Sequence, residues 1–147
     1  MYVRKIICLL LTVVLLCLCS CSSGSKGEES SETEDLTVPN IVLPDLPAKV
    51  KAYGGTISVQ SITIDKSYDE AHKTVSGSVS MRLDAAENGA SSPCKINFKV
   101  INENGVAVDT GFLGDGETKN LGDFYEGTFD ITNVQAGKKY TLIFIGN

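Results

Sequence analysis

The stretch Thr74-Val75-Ser76-Gly77-Ser78-Val79-Ser80-Met81-Arg82-Leu83 decides the fold class of this 147-residue chain. Val75, Gly77, Val79, Met81 and Leu83 fall on one side, and Thr74, Ser76, Ser78, Ser80 and Arg82 on the other. Strict period-two alternation with one wet side marks a strand of an antiparallel sheet that buries a single face. Cys94, Ile96, Phe98 and Val100 repeat the pattern, with Lys95, Asn97 and Lys99 outside. Nearer the C-terminus, Tyr140, Leu142 and Phe144 alternate with Thr141, Ile143 and Ile145, which predicts a strand covered on both faces. Weaker strands are predicted at 56–64, 106–113 and 124–131. In the first of these the apolar phase changes from Ile57 and Val59 to Ile62 and Ile64, so a bulge is expected near Ser61.

The connections between these stretches are turn chemistry. Asn104-Gly105 supplies residues suited to the positive φ values of a tight hairpin, and Gly114-Asp115-Gly116 and Gln135-Ala136-Gly137 mark further turns. No window of a dozen residues carries apolar side chains at helical spacing. The pattern predicts an all-β fold: a single antiparallel immunoglobulin-like β-sandwich of six to seven strands over residues 56–147. A small barrel is the alternative.

Phe98-Lys99-Val100-Ile101-Asn102, followed by Gly105, resembles the F-x-L-Y-D strand and x-x-G turn of FxLYD-type domains. Val75-Ser76-Gly77-Ser78-Val79 resembles the V-x-G-x-V strand that precedes it in that family. The resemblance covers residues 57–113; Phe98 is the identical match, and Met81 stands where the family has a polar residue. Gly127-Thr128-Phe129-Asp130-Ile131 through Gly137 and Tyr140 is similar to the last hairpin of carboxypeptidase-regulatory-like modules. Both resemblances imply a sandwich whose motif residues serve core and turns, with no catalytic residue to carry over.

Upstream, Arg4 and Lys5 precede a 13-residue apolar run from Ile6 to Leu18. A spanning helix needs about 20 apolar residues, so the run reads as an export signal. It ends in Leu18-Cys19-Ser20-Cys21, which resembles the lipobox of bacterial lipoproteins. That resemblance implies cleavage between Ser20 and Cys21, with Cys21 carrying the acyl chains. A secretory signal without lipidation is the alternative. Residues 22–35 are Ser, Gly, Glu, Thr and Asp with one Lys and no aliphatic side chain, too polar to offset ordering entropy, and read as a disordered acidic tether. Residues 36–55 contain Pro39, Pro44 and Pro47 and are expected to be extended, their apolar side chains along the domain's flank.

Of five cysteines, Cys8, Cys17, Cys19 and Cys21 lie in the signal region, leaving Cys94 alone in the domain and no internal disulfide. From Leu36 onward there are 10 basic and 13 acidic residues, a net charge of −3. No basic block interleaves with aromatics, which argues against a nucleic-acid partner.

Candidate chemistry is sparse. His72 is the single histidine, in the polar turn Asp69-Glu70-Ala71-His72-Lys73. It reads either as a solvated loop residue or as a base beside Asp69 and Glu70. Cys94 alternates with Ile96 and Phe98 and so is expected on the core face, inert. Asp109, Asp115, Glu117 and Asp123 fall within 15 residues and are the oxygen-rich candidates for Ca²⁺, against a reading as solvated turn carboxylates. Tyr53, Tyr68 and Tyr125 could form an exposed contact patch, and Tyr53-Gly54-Gly55 either a bend or a ligand shelf. The sequence thus assigns no catalytic residue, cofactor or metal. It points to a lipid-anchored lipoprotein on the extracytoplasmic face of a bacterial cell membrane, bound through Cys21, whose module meets a protein partner or serves envelope architecture. A small-ligand or ion-binding lipoprotein working with a transporter is the alternative.

Overall fold

A computed structural model describes residues 36–146. The export signal, the Cys21 lipidation site and the acidic tether lie outside the described residues. The chain forms ten strands and no helix among the described residues: β1 (Asn40–Val42), β2 (Ala48–Ala52), β3 (Gly55–Asp69), β4 (Thr74–Ala86), β5 (Ser91–Pro93), β6 (Ile96–Asn102), β7 (Ala107–Leu113), β8 (Thr118–Asn120), β9 (Phe124–Ile131) and β10 (Lys139–Ile145). They make two four-stranded sheets, β2-β3-β4-β9 and β1-β10-β6-β7, plus a β5–β8 ribbon.

The sandwich is all-β, as the alternation predicted. β4 pairs β9 in one sheet while β6 pairs β10 in the other. That is how the B–E and C–F strands pair in immunoglobulin-type sandwiches. The strand count is a correction: ten, not six or seven. Residues 36–55 are extended as expected, but they join the sheets as β1 and β2 instead of lying along a flank, and β5 and β8 are three-residue strands. The antiparallel rule also has one exception, because β1 pairs β10 in parallel.

The core follows from the alternation. Val75, Val79, Met81 and Leu83 from β4 face Ile96, Phe98 and Val100 from β6, all buried. Phe98 meets Phe129 of the opposite sheet edge to face, with ring centroids 5.8 Å apart. Each ring lies across a glycine in its own sheet: Phe98 pairs with Gly111 and Phe129 with Gly77. A Cβ at either glycine would come within 2.7 Å of the ring. These two glycines are therefore packing residues, and the V-x-G-x-V strand has its glycine where an aromatic ring needs the space.

Three local expectations meet the structure differently. The β3–β4 register slips between Val59 and Ser61, placing the bulge where the phase change required it, but β3 then runs on to Asp69 with another slip before Tyr68. The β6–β7 turn uses positive φ at Gly105 only, not at Asn104. Gly105 N–H donates to the Asn102 carbonyl at 2.9 Å, and Asn102 Oδ1 accepts from the Asn104 and Val106 N–H groups, both at 3.0 Å. A side chain thus stands in for the second left-handed residue. Finally, β10 is covered on one face, not two: Tyr140 and Leu142 are buried, while Thr141 and Ile143 are half-buried and Ile145 is exposed.

Candidate functional site

The β3–β4 turn holds His72. Asp69 grips the turn twice: its Oδ1 accepts the His72 N–H at 3.0 Å, and its Oδ2 lies 2.7 Å from Nδ1. The hydrogen bond from the imidazole holds Asp69 below the usual carboxylate range, and the same bond raises His72 above its ordinary value. Thr74 Oγ1 donates to the His72 carbonyl, which secures the end of the turn. Across β4, Ser76 Oγ donates to Asp130 Oδ1 at 2.6 Å. These groups line an open cleft of about 430 Å³ together with Ser67 and Tyr68. The expected neighbour Asp69 is thus the partner of His72. Asp69 and His72 form a dyad that fixes the turn.

Cys94 is fully buried among the core side chains, and burial pushes its thiol above the ordinary 9.0. His72 precedes β4, and Cys94 lies near Met81 at the far part of that strand. Seven strand residues span about 24 Å, so the histidine and the thiol cannot act on one substrate.

The four acidic loop residues do not converge, and no group of three or more His, Cys, Asp or Glu that could hold a metal occurs among the described residues. Asp109 accepts the N–H of Thr110 and that of Thr132, the latter at 2.6 Å, bridging β7 to the end of β9. Asp123 Oδ2 accepts the Asn120 N–H. Asp115 and Glu117 share Lys119, each at 3.2 Å. Partial burial would raise the Asp115 carboxyl, but the Glu117 N–H and Lys119 outweigh it and hold the group low. The four carboxylates are therefore held separately: Asp115 and Asp123 in turns, Asp109 between β7 and the end of β9, and Glu117 against Lys119.

The tyrosines also separate, which corrects the expected common patch. Tyr68 is half-buried and donates to the Val134 carbonyl at 2.8 Å. Tyr125 is half-buried and lies over Gly127. Tyr53 alone is exposed, in a two-residue hairpin with φ values of 51° at Tyr53 and 78° at Gly54. It is both bend and surface feature: its hydroxyl donates to Asn97 Oδ1 at 2.8 Å, and Lys95 Nζ sits 5.5 Å from its ring centroid. Lys95 Nζ is also 4.0 Å from the Phe112 centroid. This cluster lies on the outer face of the β1-β10-β6-β7 sheet and was not picked out from sequence. No spacing joins its members, which come from the β2–β3 hairpin, the start of β6 and β7.

No family model matches the chain, and no curated protein matches it in sequence. Among solved structures, the crystal structure of the ApaA protein from Bordetella pertussis is similar at 14% identity, with a TM-score of 0.34. The match covers 56% of this chain and 70% of that one. A likeness of that size says nothing of what this chain does.

Proposed function

We propose that this protein is a lipid-anchored lipoprotein of the extracytoplasmic face of a bacterial membrane, with a non-catalytic immunoglobulin-like module that works by protein interaction. The observation that carries the anchor is the tetrad Leu18-Cys19-Ser20-Cys21 after a short apolar run, with a Ser/Glu-rich stretch behind it. The hydrophobic logic is additive: each buried CH₂ of an acyl chain contributes about 0.8 kcal/mol, and more than one chain gives lasting attachment. The interaction role is supported by the separation of His72 from Cys94 and by the separate hydrogen bonds and ion pairs that hold the four carboxylates. It is supported further by an exposed aromatic and basic cluster on an outer sheet face.

Metabolic labelling with an alkyne fatty acid tests the anchor. The wild-type chain takes up label, and Cys21→Ser takes up none. Label that persists on the Cys21→Ser chain would place the lipid elsewhere and overturn the assignment.

A further inference from the structure

We infer that the outer face of the β1-β10-β6-β7 sheet docks a protein partner that presents a flat apolar surface bearing carboxylates. This inference rests on the interaction-module reading above and names its surface and the chemistry of its partner. The pairing register lays the face out in rows across the strands. One row is Phe112, Asn97 and Ile145; the next is Thr110, Lys99 and Ile143; and a third runs from Ile101 through Thr141 to Val42. Phe112 is 50% exposed, and Ile145, Val42 and Tyr53 are each at least 37% exposed. Contiguous exposed apolar side chains at this density mark a contact surface more than a solvated one.

Charge decides the kind of partner. The described domain carries more acid than base, yet no carboxylate stands in any of these rows. Lys95 and Lys99 project from the same side, and neither makes an ion pair with another described residue. The outer side of β4 and β9 differs in charge: Ser76, Ser78 and Ser80 lie against Asp130, Thr128 and Glu126, so carboxylates are interspersed there, and its exposed Phe124 sits beside Arg82.

The cluster is also organised before any partner arrives. Asn97 holds the Tyr53 hydroxyl, and Lys95 packs over both aromatic rings, so little side-chain entropy remains to be lost on docking. A second copy fits poorly, because an isologous contact would set these lysines near their own symmetry mates. A bilayer fits poorly as well. Interfacial binding needs an unbroken apolar face, whereas Asn97, Thr110 and Thr141 interrupt this one. Four strands by three rows cover on the order of 300–400 Å² from strand spacing and rise. That footprint belongs to the small, transient class of interface, so the contact is weak and salt-sensitive.

The test places a benzophenone photo-cross-linking amino acid at Phe112 of the full chain in intact cells, with the same amino acid at exposed Ser78 as the opposite-face control. The expected product is specific to Phe112 and joins a second protein through a segment that contains Asp or Glu. Lys99→Glu lowers its yield at least fivefold, while Lys99→Arg retains it. Lys99 contacts neither ring, so a folding defect is not expected, and an unchanged thermal midpoint verifies that. A product made only of two copies of this chain, a product with lipid, or no product beyond the Ser78 control overturns the inference, as does an undiminished yield in Lys99→Glu. The fatty-acid label reads the anchor separately. An unlabelled chain that still cross-links overturns the anchor alone, and a labelled chain without the Phe112 product overturns this face alone.

Discussion

Phe98 and Phe129 reach the middle of the sandwich from opposite sheets, each across a glycine, and much of the fold's specificity sits in those four residues. Phe98 is 1% exposed. Cutting it to alanine forfeits transfer free energy and leaves a cavity, a loss of about 3–5 kcal/mol. Phe98→Ala is therefore expected to lower the denaturant midpoint by about half or more in a domain whose whole stability is about 5–15 kcal/mol. Lys99→Ala, one residue along on the outer side, leaves the midpoint nearly unchanged. Equal effects would mean that the register of β6 is wrong. The His72–Asp69 pair yields a prediction in pH. His72 titrates above its ordinary 6.5, so the stability it lends the turn is complete below that value and fades as pH rises through the raised native one. Asp69 titrates below its ordinary 3.8, so its share is complete above that value and fades as pH falls through the depressed one. The pair is strongest between the two. An NMR titration should find the His72 midpoint lowered in Asp69→Asn; a midpoint that stays put would dissolve the pair.

Elements differ in how much their own residues announce them. β4 and β6 were legible because one face is apolar and the other mostly polar, and the alternation runs through most of their length. β5 and β8 have three residues each, too few to show any period. β2 does alternate, with Ala48, Val50 and Ala52 against Lys49 and Lys51, but five residues directly after Pro47 read as easily as linker. β10 misled for a physical reason: apolar side chains on both faces signal two covers only where something supplies the second, and sequence periodicity cannot tell a covered face from a docking face. The candidate site divides the same way. Asp69 beside His72 and Cys94 in the core followed from spacing. The Tyr53–Lys95–Phe112 cluster did not, since it joins residues from a hairpin, a strand start and an edge strand. Turn chemistry gives the test at this scale. Gly105 has φ 74° with open space around it, so Gly105→Ala meets only the left-handed backbone penalty. A loss of about 1 kcal/mol is expected, with Gly105→Asn milder. A denaturation series in which alanine proves neutral would rule out that turn geometry.

Across the whole molecule, the buried thiol reports on cooperative opening. Cys94 is fully enclosed and its thiol is held protonated, so a thiol reagent should modify the native domain slowly and the denatured chain at once. Its rate should rise in step with each destabilising substitution, Phe98→Ala most of all. Fast labelling of the native domain would instead reveal a local opening near β5 and β6. The parallel pairing of β1 with β10 has a mechanical consequence. Asn40, Ile41 and Val42 lie beside Lys139, Tyr140 and Thr141 in the same direction. Tension applied between residue 36 and residue 146 would run along both strands in opposite senses, loading these rungs together in shear. An antiparallel pair pulled from one end would peel rung by rung. A pull between these two points therefore meets a clasp that must slip as a unit.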